Sequence, residues 1–513
     1  MFMNHKKFYW VMIFVGLVSP AAGEKCKESF SENIRFNENY NSLVFEKSSI
    51  LISSRWKRPG ALLLAKMIGA THLVWGYYSA DPEFIKKAQS IGLNVHCALP
   101  YFIPSKLSEK RKNVLQCSSL DGSPVRGRWE VGWDMRRGDV NKASFRRYQL
   151  KRLKHLIDIG CDHFQYDGSR MNGVAVEWGG CFSPEGDKKF NKYLLGKSGS
   201  KSLPEFGYVN YLKASKAPKS YDFIKWDDPF KRSYIEFQKK ETLEYYSWLH
   251  SEIEEYAGRH VFFSMNTNPH NSTAWLKDVY DGAMSEIHKK EADPNVLIDL
   301  IGRLQSKNKP VVLTLASDDV DLNTKSIATS YALGALMIYP WDVYISSAKD
   351  RYFGGFSDFS SLYVFIKNNK KIFDRYESYK EYVISMKMES TEESVNEYPV
   401  SIRSIQKSTK YIRRKQGQFK VLVSIRKSEA GNDKLVHLVN WTALNKTDQG
   451  YIVSFKKSLF KNIPEYLFDP STNKVRKLDA KLVGDRIEIE LDGLGLWSVF
   501  ASGKLATSGF QCN

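Results

Sequence analysis

The sequence predicts an α/β fold, a (β/α)8 barrel followed by an antiparallel β-sandwich. Eight short runs rich in β-branched and aromatic residues alternate with stretches of helical period through the first three-quarters of the chain. Beyond about residue 376 the helical stretches give way to alternating segments divided by turn residues. An open doubly wound sheet is the competing architecture. It is disfavoured because no glycine-rich fingerprint follows the first run and no phosphate-cradling loop occurs.

The eight runs, in order, are 49–56 (SILISSRW), 71–78 (THLVWGYY), 93–100 (LNVHCALP), 161–167 (CDHFQYD), 260–268 (HVFFSMNTN), 280–288 (YDGAMSEIH), 310–317 (PVVLTLAS) and 333–341 (LGALMIYPW). Between them lie helix candidates at 59–68, 82–91, 143–159 and 230–256. The last two place apolar residues three and four apart with Lys, Arg and Glu between them, the mark of an amphipathic helix. A segment from about residue 45 to 375 has the size of such a barrel. The connections after the third and fourth runs are long, about 60 and 90 residues, so insertions are expected at the face where barrels carry their chemistry. The Ser/Lys/Pro-rich stretch 197–219 reads as an exposed excursion within the second insertion. Further on, 420–425, 435–440, 450–455 and 486–491 read as antiparallel strands of a second domain.

The expected organisation is a signal peptide over 1–23, a barrel over 24–375 and a β-sandwich over 376–513. Lys6 and Lys7, an apolar stretch from residue 8 to 18 and the small residues Ala21-Ala22-Gly23 form the three parts of a secretory signal, with cleavage after Gly23. Its removal takes away two lysines and no acid, so the formal charge falls from +19 to +17. A secreted or periplasmic location follows, with no membrane association after cleavage. A chain that is 42% hydrophobic over 513 residues is too rich in core material to be disordered. The positive charge suits a polyanion, and export removes nucleic acid as its natural partner, which leaves an anionic glycan or envelope. The six cysteines permit disulfides in that compartment, in any of fifteen connectivities. No metal-ligand spacing occurs, and no cofactor is expected. Oligomeric state is not readable.

Residues at the C-terminal ends of barrel strands share one mouth, so ionisable groups there carry the functional reading. The fourth run ends Tyr166-Asp167-Gly168 and the sixth contains Glu286, two strands away. The seventh is followed by Asp318-Asp319, and the eighth by Asp342. Cleavage of a glycosidic bond needs two carboxyl groups, one to protonate the leaving oxygen and one to act as nucleophile or base. Asp167 and Glu286 supply such a pair. Taken singly, Asp167 fits a helix or turn cap and Glu286 an ion pair with Lys289 or Lys290.

The run 143–168 (ASFRRYQLKRLKHLIDIGCDHFQYDG), a basic amphipathic helix and then a strand closing on Tyr-Asp-Gly, resembles the passage from third helix to fourth strand in barrel glycoside hydrolases. The similarity is greatest to the retaining dextranase, α-galactosidase and α-N-acetylgalactosaminidase groups. That resemblance implies Asp167 as nucleophile and Glu286 as general acid/base. Segments 181–193 and 435–440 are also similar to parts of large bacterial glycosidases. The resemblance also permits a rival arrangement, with the acid on the fourth strand and the nucleophile on the seventh, which would pair Asp167 with Asp318 or Asp319; Glu286 is preferred because Asp318-Asp319 stand in a polar loop that could equally bind sugar hydroxyls or cap a helix.

Sugar recognition needs flat apolar faces and polar groups for hydroxyls. Trp56, Trp75, Tyr77, Trp133 and Trp341 stand at or beyond strand ends, with Asp134, Arg170, Asn266, His288, Asp318, Asp319 and Asp342 nearby. Arg170, three residues past Asp167, suits a sulfate or carboxylate or an ion pair at the loop base, and Arg126, Arg128, Arg136 and Arg137 are a further candidate anion contact in the third loop, where exposed arginines are usually solvated. The expected partner is a carbohydrate, compatible with an anionic one. Two other functions fit: a glycan-binding barrel that does not cleave, and an exported lyase or deacetylase.

Overall fold

A computed structural model describes residues 45–53, 60–76, 81–127, 136–197, 207–218, 220–267, 273–305, 309–340, 356–387, 398–406, 418–428, 433–442, 449–472 and 474–502. The signal-like segment 1–23, Cys26, Cys512, Arg128, Trp56, Tyr77, Trp133, Asp134, Trp341 and Asp342 lie outside them.

Eight parallel strands occur in the expected order: β1 (Leu51–Ser53), β2 (His72–Gly76), β3 (Asn94–Pro100), β4 (His163–Asp167), β5 (Phe263–Thr267), β6 (Gly282–His288), β7 (Val311–Ala316) and β8 (Leu336–Met337). Each pairs with the next in sequence order. A parallel bridge from Leu51 to Ile338 and a 2.8 Å bond from the Tyr339 N–H to the Leu51 carbonyl join the last strand to the first, so the sheet is a closed barrel. The helices between strands begin where local chemistry allows. Asp81, Ser183, Asp293 and Asp319 each cap an N-terminus by accepting a backbone N–H two or three residues on, and proline occupies the first turn of three of those helices.

Alternation along the strands sorts side chains between barrel lumen and helices. In β4, Phe164 and Tyr166 face outward, Tyr166 meeting Tyr246 of the helix Lys231–Ala257 at 4.9 Å between rings. His163, Gln165 and Asp167 face inward. The lumen floor is aromatic. His96 stacks on Phe45 (4.7 Å) and contacts His72 (5.3 Å) and His163 (4.7 Å), with Phe262 edge-on. All three histidines are buried, and burial pushes His72 and His163 down to about 3 and His96 well below its ordinary value. The floor is therefore neutral at physiological pH.

The insertions after β3 and β4 pack on each other. A disulfide joins Cys117 of the first to Cys181 of the second, and another joins Cys97 of β3 to Cys161 just before β4. Phe182, Phe190, Tyr208, Leu212, Phe223, Tyr234 and Phe237 form a separate core under the second insertion. Tyr208 and Leu212 correct the expectation of a merely exposed excursion over 197–219: the helix Gly207–Ala214 buries both completely.

The C-terminal part is a sandwich of two antiparallel sheets. Its strands are β9 (Tyr376–Lys387), β10 (Val400–Gln406), β11 (Gln418–Ser428), β12 (Lys434–Asn440), β13 (Gln449–Lys456), β14 (Pro464–Asp469), β15 (Lys474–Lys477), β16 (Ala480–Val483), β17 (Arg486–Leu491) and β18 (Trp497–Ser502). The six-stranded sheet runs β9-β11-β12-β18-β14-β15 and the four-stranded one β10-β13-β17-β16. Val421, Val423, Val436, Leu438 and Phe500 point from the larger sheet to meet Ile402, Val453, Phe455 and Ile489 of the smaller. Their neighbours Leu422, Leu435, Val439, Trp497 and Val499 point the other way and join the barrel's core. The larger sheet is buried on both faces, which is why β12 reads as an almost unbroken apolar run. The Ser424 hydroxyl and the buried Arg426 guanidinium donate to the Ala332 carbonyl, and Trp441 Nε1 donates to Thr329 Oγ1.

Candidate active site

The same alternation that seats His163 in the floor lifts Asp167 to the mouth. Asp167 is the last residue of β4, half-buried, and the chain turns away through Gly168 at φ +72°. Glycine is required there twice over: the left-handed φ disfavours a side chain, and a Cβ would land inside the Tyr101 ring. The Tyr101 N–H donates to the Asp167 carbonyl (3.3 Å), continuing the β3–β4 ladder to the rim.

Asn266 stands at the same level on β5. Its amide nitrogen donates to Asp167 Oδ1 (3.0 Å) and to Glu286 Oε1 (3.1 Å). Turned the other way, the amide would set its oxygen against two carboxylates, so the chemistry of the pair dictates the orientation. Two bonds of these lengths from one nitrogen keep the two accepting oxygens within about 6 Å of each other. The strands carrying these groups are clamped beside them. Ser169 Oγ donates to the Asn266 carbonyl (2.8 Å), and the Tyr246 hydroxyl donates to the Ser169 carbonyl (2.7 Å). Thr267 Oγ1 donates to the Met284 carbonyl (2.9 Å), and Ser285 Oγ to the Thr267 carbonyl (3.2 Å).

The remaining residues read from the sequence divide. Arg170 is half-buried on the turn after Asp167, and burial, with Arg137 nearby, lowers its pKa against the opposing pull of Glu177. Trp75 is fully buried with φ +58°, so it packs within the barrel wall and offers no face to a sugar ring. His288 is exposed and begins a short helical turn, its N–H donating to Glu291 Oε2. Asp318 is exposed and lies 3.4 Å from Lys289. Asp319 accepts from the Leu322 N–H as a helix cap. The carboxylate that shares a hydrogen-bond donor with Asp167 is thus Glu286.

One feature of the mouth is not legible in the sequence. The Arg137 guanidinium carbon lies over both the Tyr101 and the Trp178 ring, 4.2 Å from each centroid, and the residue is 4% exposed. The sequence offers Arg137 as a candidate anion contact in a loop, and only the fold brings residues 101, 137 and 178 together. Arg136 beside it is held by Glu109 (2.5 Å) and Gln116 (2.8 Å). Among the described residues no group of three or more His, Cys, Asp or Glu side chains is arranged to hold a metal ion, and no helix is long and apolar enough to cross a membrane.

No protein-family model and no curated protein matches the chain. Solved structures share its fold. An alpha-amylase from H. orenii matches 90% of this chain and 100% of its own at 11% identity, with a TM-score of 0.50. The Nostoc punctiforme debranching enzyme matches 89% and 98% at 9% identity, with a TM-score of 0.46. The glycoside hydrolase domain of PelA from Pseudomonas aeruginosa matches 57% and 94% at 13% identity, with a TM-score of 0.33. At 11% identity the likeness to the alpha-amylase is one of fold alone.

Proposed function

We propose that the chain is an exported retaining glycoside hydrolase, with its catalytic barrel over 24–375 and the β-sandwich over 376–513. The observation that carries the reading is the Asn266 amide donating to both Asp167 and Glu286 at the C-terminal mouth of the barrel. Accepting oxygens within about 6 Å of each other are closer than the spacing of roughly 6.5–9.5 Å that an inverting pair needs for its water, which favours direct attack by one of them. A barrel fold shared with an alpha-amylase is consistent with this, as are two disulfides with export.

In the first step a carboxylate oxygen of Asp167 attacks the anomeric carbon as the bond to the leaving oxygen breaks. Glu286, protonated, gives its proton to that oxygen. The glycosyl ester on Asp167 is then hydrolysed by a water that Glu286, now a carboxylate, deprotonates. The ester bond breaks, Asp167 recovers its charge, and the sugar leaves with its original anomeric configuration. Glu286 Oε1 accepts from Asn266 throughout, so the proton travels on Oε2.

The test is a screen of neutral, uronic and sulfated polysaccharides and of aryl glycosides with the intact chain, Asp167→Asn and Glu286→Gln. Both variants should lose polysaccharide cleavage by about a thousandfold or more. Glu286→Gln should keep its glycosylation step on aryl glycosides whose leaving groups need no proton, and proton NMR of the first-formed sugar should show retention. Inverted product, or full activity of Asp167→Asn, refutes the assignment. Glycan binding without cleavage by the intact chain supports a non-catalytic barrel instead.

A further inference from the structure

We propose that Asn172 is a positioning residue for the reaction: its buried amide fixes the turn that follows Asp167, and through that turn the placement of both carboxyl groups. The inference deepens the proposed function and rests on Asp167 and Glu286 being the reacting pair.

The turn after β4 leaves ordinary backbone twice, at Gly168 (φ +72°) and at Met171 (φ +40°). Methionine lacks glycine's freedom there, and such a conformation persists only where the surroundings impose it. Asn172 is the next residue and is completely buried. Its Oδ1 accepts from the Val140 N–H (3.1 Å), which only an oxygen can do, so its Nδ2 faces the other way. That nitrogen donates to Asp139 Oδ1 (2.7 Å) and to Gln238 Oε1 (2.9 Å). One amide thus ties the turn to the end of the first insertion and to the helix Lys231–Ala257.

The partners are fixed in their turn. Asp139 Oδ1 also accepts from the Asn141 N–H (2.9 Å), and Gln238 Oε1 from Asn141 Nδ2 (3.0 Å). The Asp139 N–H donates to the Leu115 carbonyl (3.0 Å). Stability alone does not account for this knot. Asp139 Oδ2 and Asn141 Oδ1 are buried with no hydrogen-bond partner among the described residues, a cost that apolar side chains of the same shape avoid. What the knot supplies is direction, because hydrogen bonds constrain angle as well as distance.

From Asn172 the constraint reaches the reacting groups through the turn itself. Ser169 Oγ donates to the Asn266 carbonyl, and the Ser169 carbonyl accepts from Tyr246. Asn266 donates to Asp167 and Glu286. A shift of the turn therefore moves Asp167 by its own backbone and the shared donor by its carbonyl. A displacement of about 1 Å there costs about 10- to 100-fold in rate.

The test compares the full chain with Asn172→Leu, which removes all three bonds at similar volume, on an aryl glycoside that the intact chain cleaves. Each protein is assayed well below its own melting temperature. Asn172→Leu should lower kcat about 10- to 100-fold with KM within about twofold, and the backbone amides of 168–172 should exchange hydrogen at least about tenfold faster. Gln238→Met removes only the acceptor on the helix and should lower kcat about 3- to 10-fold, which keeps the test open if Asn172→Leu does not fold. Asn369→Ala controls for lost stability: Asn369 is another buried amide, donating to the Phe365 carbonyl (2.8 Å) beside the helix Lys370–Asp374. It should lower the melting temperature and leave kcat unchanged. Wild-type kcat or unchanged exchange of the turn in folded Asn172→Leu, or wild-type kcat in Gln238→Met where only that variant folds, overturns the proposal and leaves the hydrolase reading standing. An equal loss of kcat in Asn369→Ala does the same. An intact chain that cleaves no glycoside overturns both.

Discussion

Replacement of Asn266 is the sharpest probe of the carboxylate pair, because one amide serves both groups. Asn266→Ala removes two hydrogen bonds to carboxyl oxygens, 3.0 and 3.1 Å long. Each such bond is worth about 1.5–3 kcal/mol. The loss in catalysis is smaller than their sum. In the proposed mechanism the stronger bond goes to Asp167, the carboxylate that attacks. In the glycosylation transition state that charge falls while Glu286 gains one, so the amide exchanges a strong bond for a weak one on one side and the reverse on the other. Only the difference between ground and transition states changes the rate. What remains is positioning: Asn266 ties the two carboxyl oxygens to one nitrogen, and a misplacement of about 1 Å once that tie is lost costs about 10- to 100-fold in kcat. Asn266→Asp keeps the shape and reverses the electrostatics. A third carboxylate beside the other two would face a repulsion on the order of 4 kcal/mol per pair at an effective dielectric of 20, enough to move a pKa by about three units. The assay is kcat against pH on an aryl glycoside that needs no acid assistance. Asn266→Ala should lower kcat with little change in KM. Asn266→Asp should shift the acidic limb of the profile upward, as nucleophile ionisation is deferred to higher pH. A wild-type profile in Asn266→Asp, or wild-type kcat in Asn266→Ala, would refute this account of the pair.

Three further outcomes follow from the surrounding structure. Gly168→Ala must displace the Tyr101 ring and hold a left-handed φ, so it should cost about 2–4 kcal/mol and lower the melting temperature by several degrees; an unchanged melting curve would remove the steric argument. The floor histidines are neutral when folded, with His72 and His163 pushed down to about 3, whereas the unfolded chain protonates them below about 6.5. Stability should therefore fall as pH drops from 6.5 towards 3, by up to about 1.4 kcal/mol per pH unit for each histidine, with Arg259 and His260 adding to the field on His163. Urea midpoints at pH 7, 6 and 5 test this, and His96→Phe should flatten the slope. Reducing the Cys117–Cys181 bridge opens a 64-residue separation, which the chain-entropy model equates with about 4 kcal/mol. Cys117→Ala with Cys181→Ala should unfold at markedly lower urea, and an equal midpoint would show that the two insertions hold together without it.

The barrel was legible because its information is local. Each strand is a short β-branched run, and the alternation that makes 163, 165 and 167 face one way is set by neighbours in sequence. Asp167 could be placed at the mouth for that reason, and Glu286 and Asn266 by the same rule on β6 and β5. The limits of local reading show in Trp75. An aromatic at a strand end looks like a sugar platform, yet its fate depends on a backbone twist, φ +58°, that turns it into the wall. Tyr208 and Leu212 fail likewise: a Ser/Lys/Pro-rich stretch looks solvated until a second core is built over it.

Net charge behaves the same way, and it bears on substrate only once each charge has an address. On the outer helix Ala143–Asp158, Arg147 and Lys151 are exposed, Arg146 pairs with Glu241, and Lys154 lies over the Tyr256 ring. These cations solvate a surface and say nothing about a ligand. Arg136 is held by Glu109, and Arg137 lies over two rings. Arg170 differs from all of them in being half-buried, at the rim and without a hydrogen-bonding partner among the described residues. Charge reversal at Arg147 and Lys151 together should therefore leave glycan binding unchanged in a calorimetric titration, and a weakened affinity would show that the outer helix takes part.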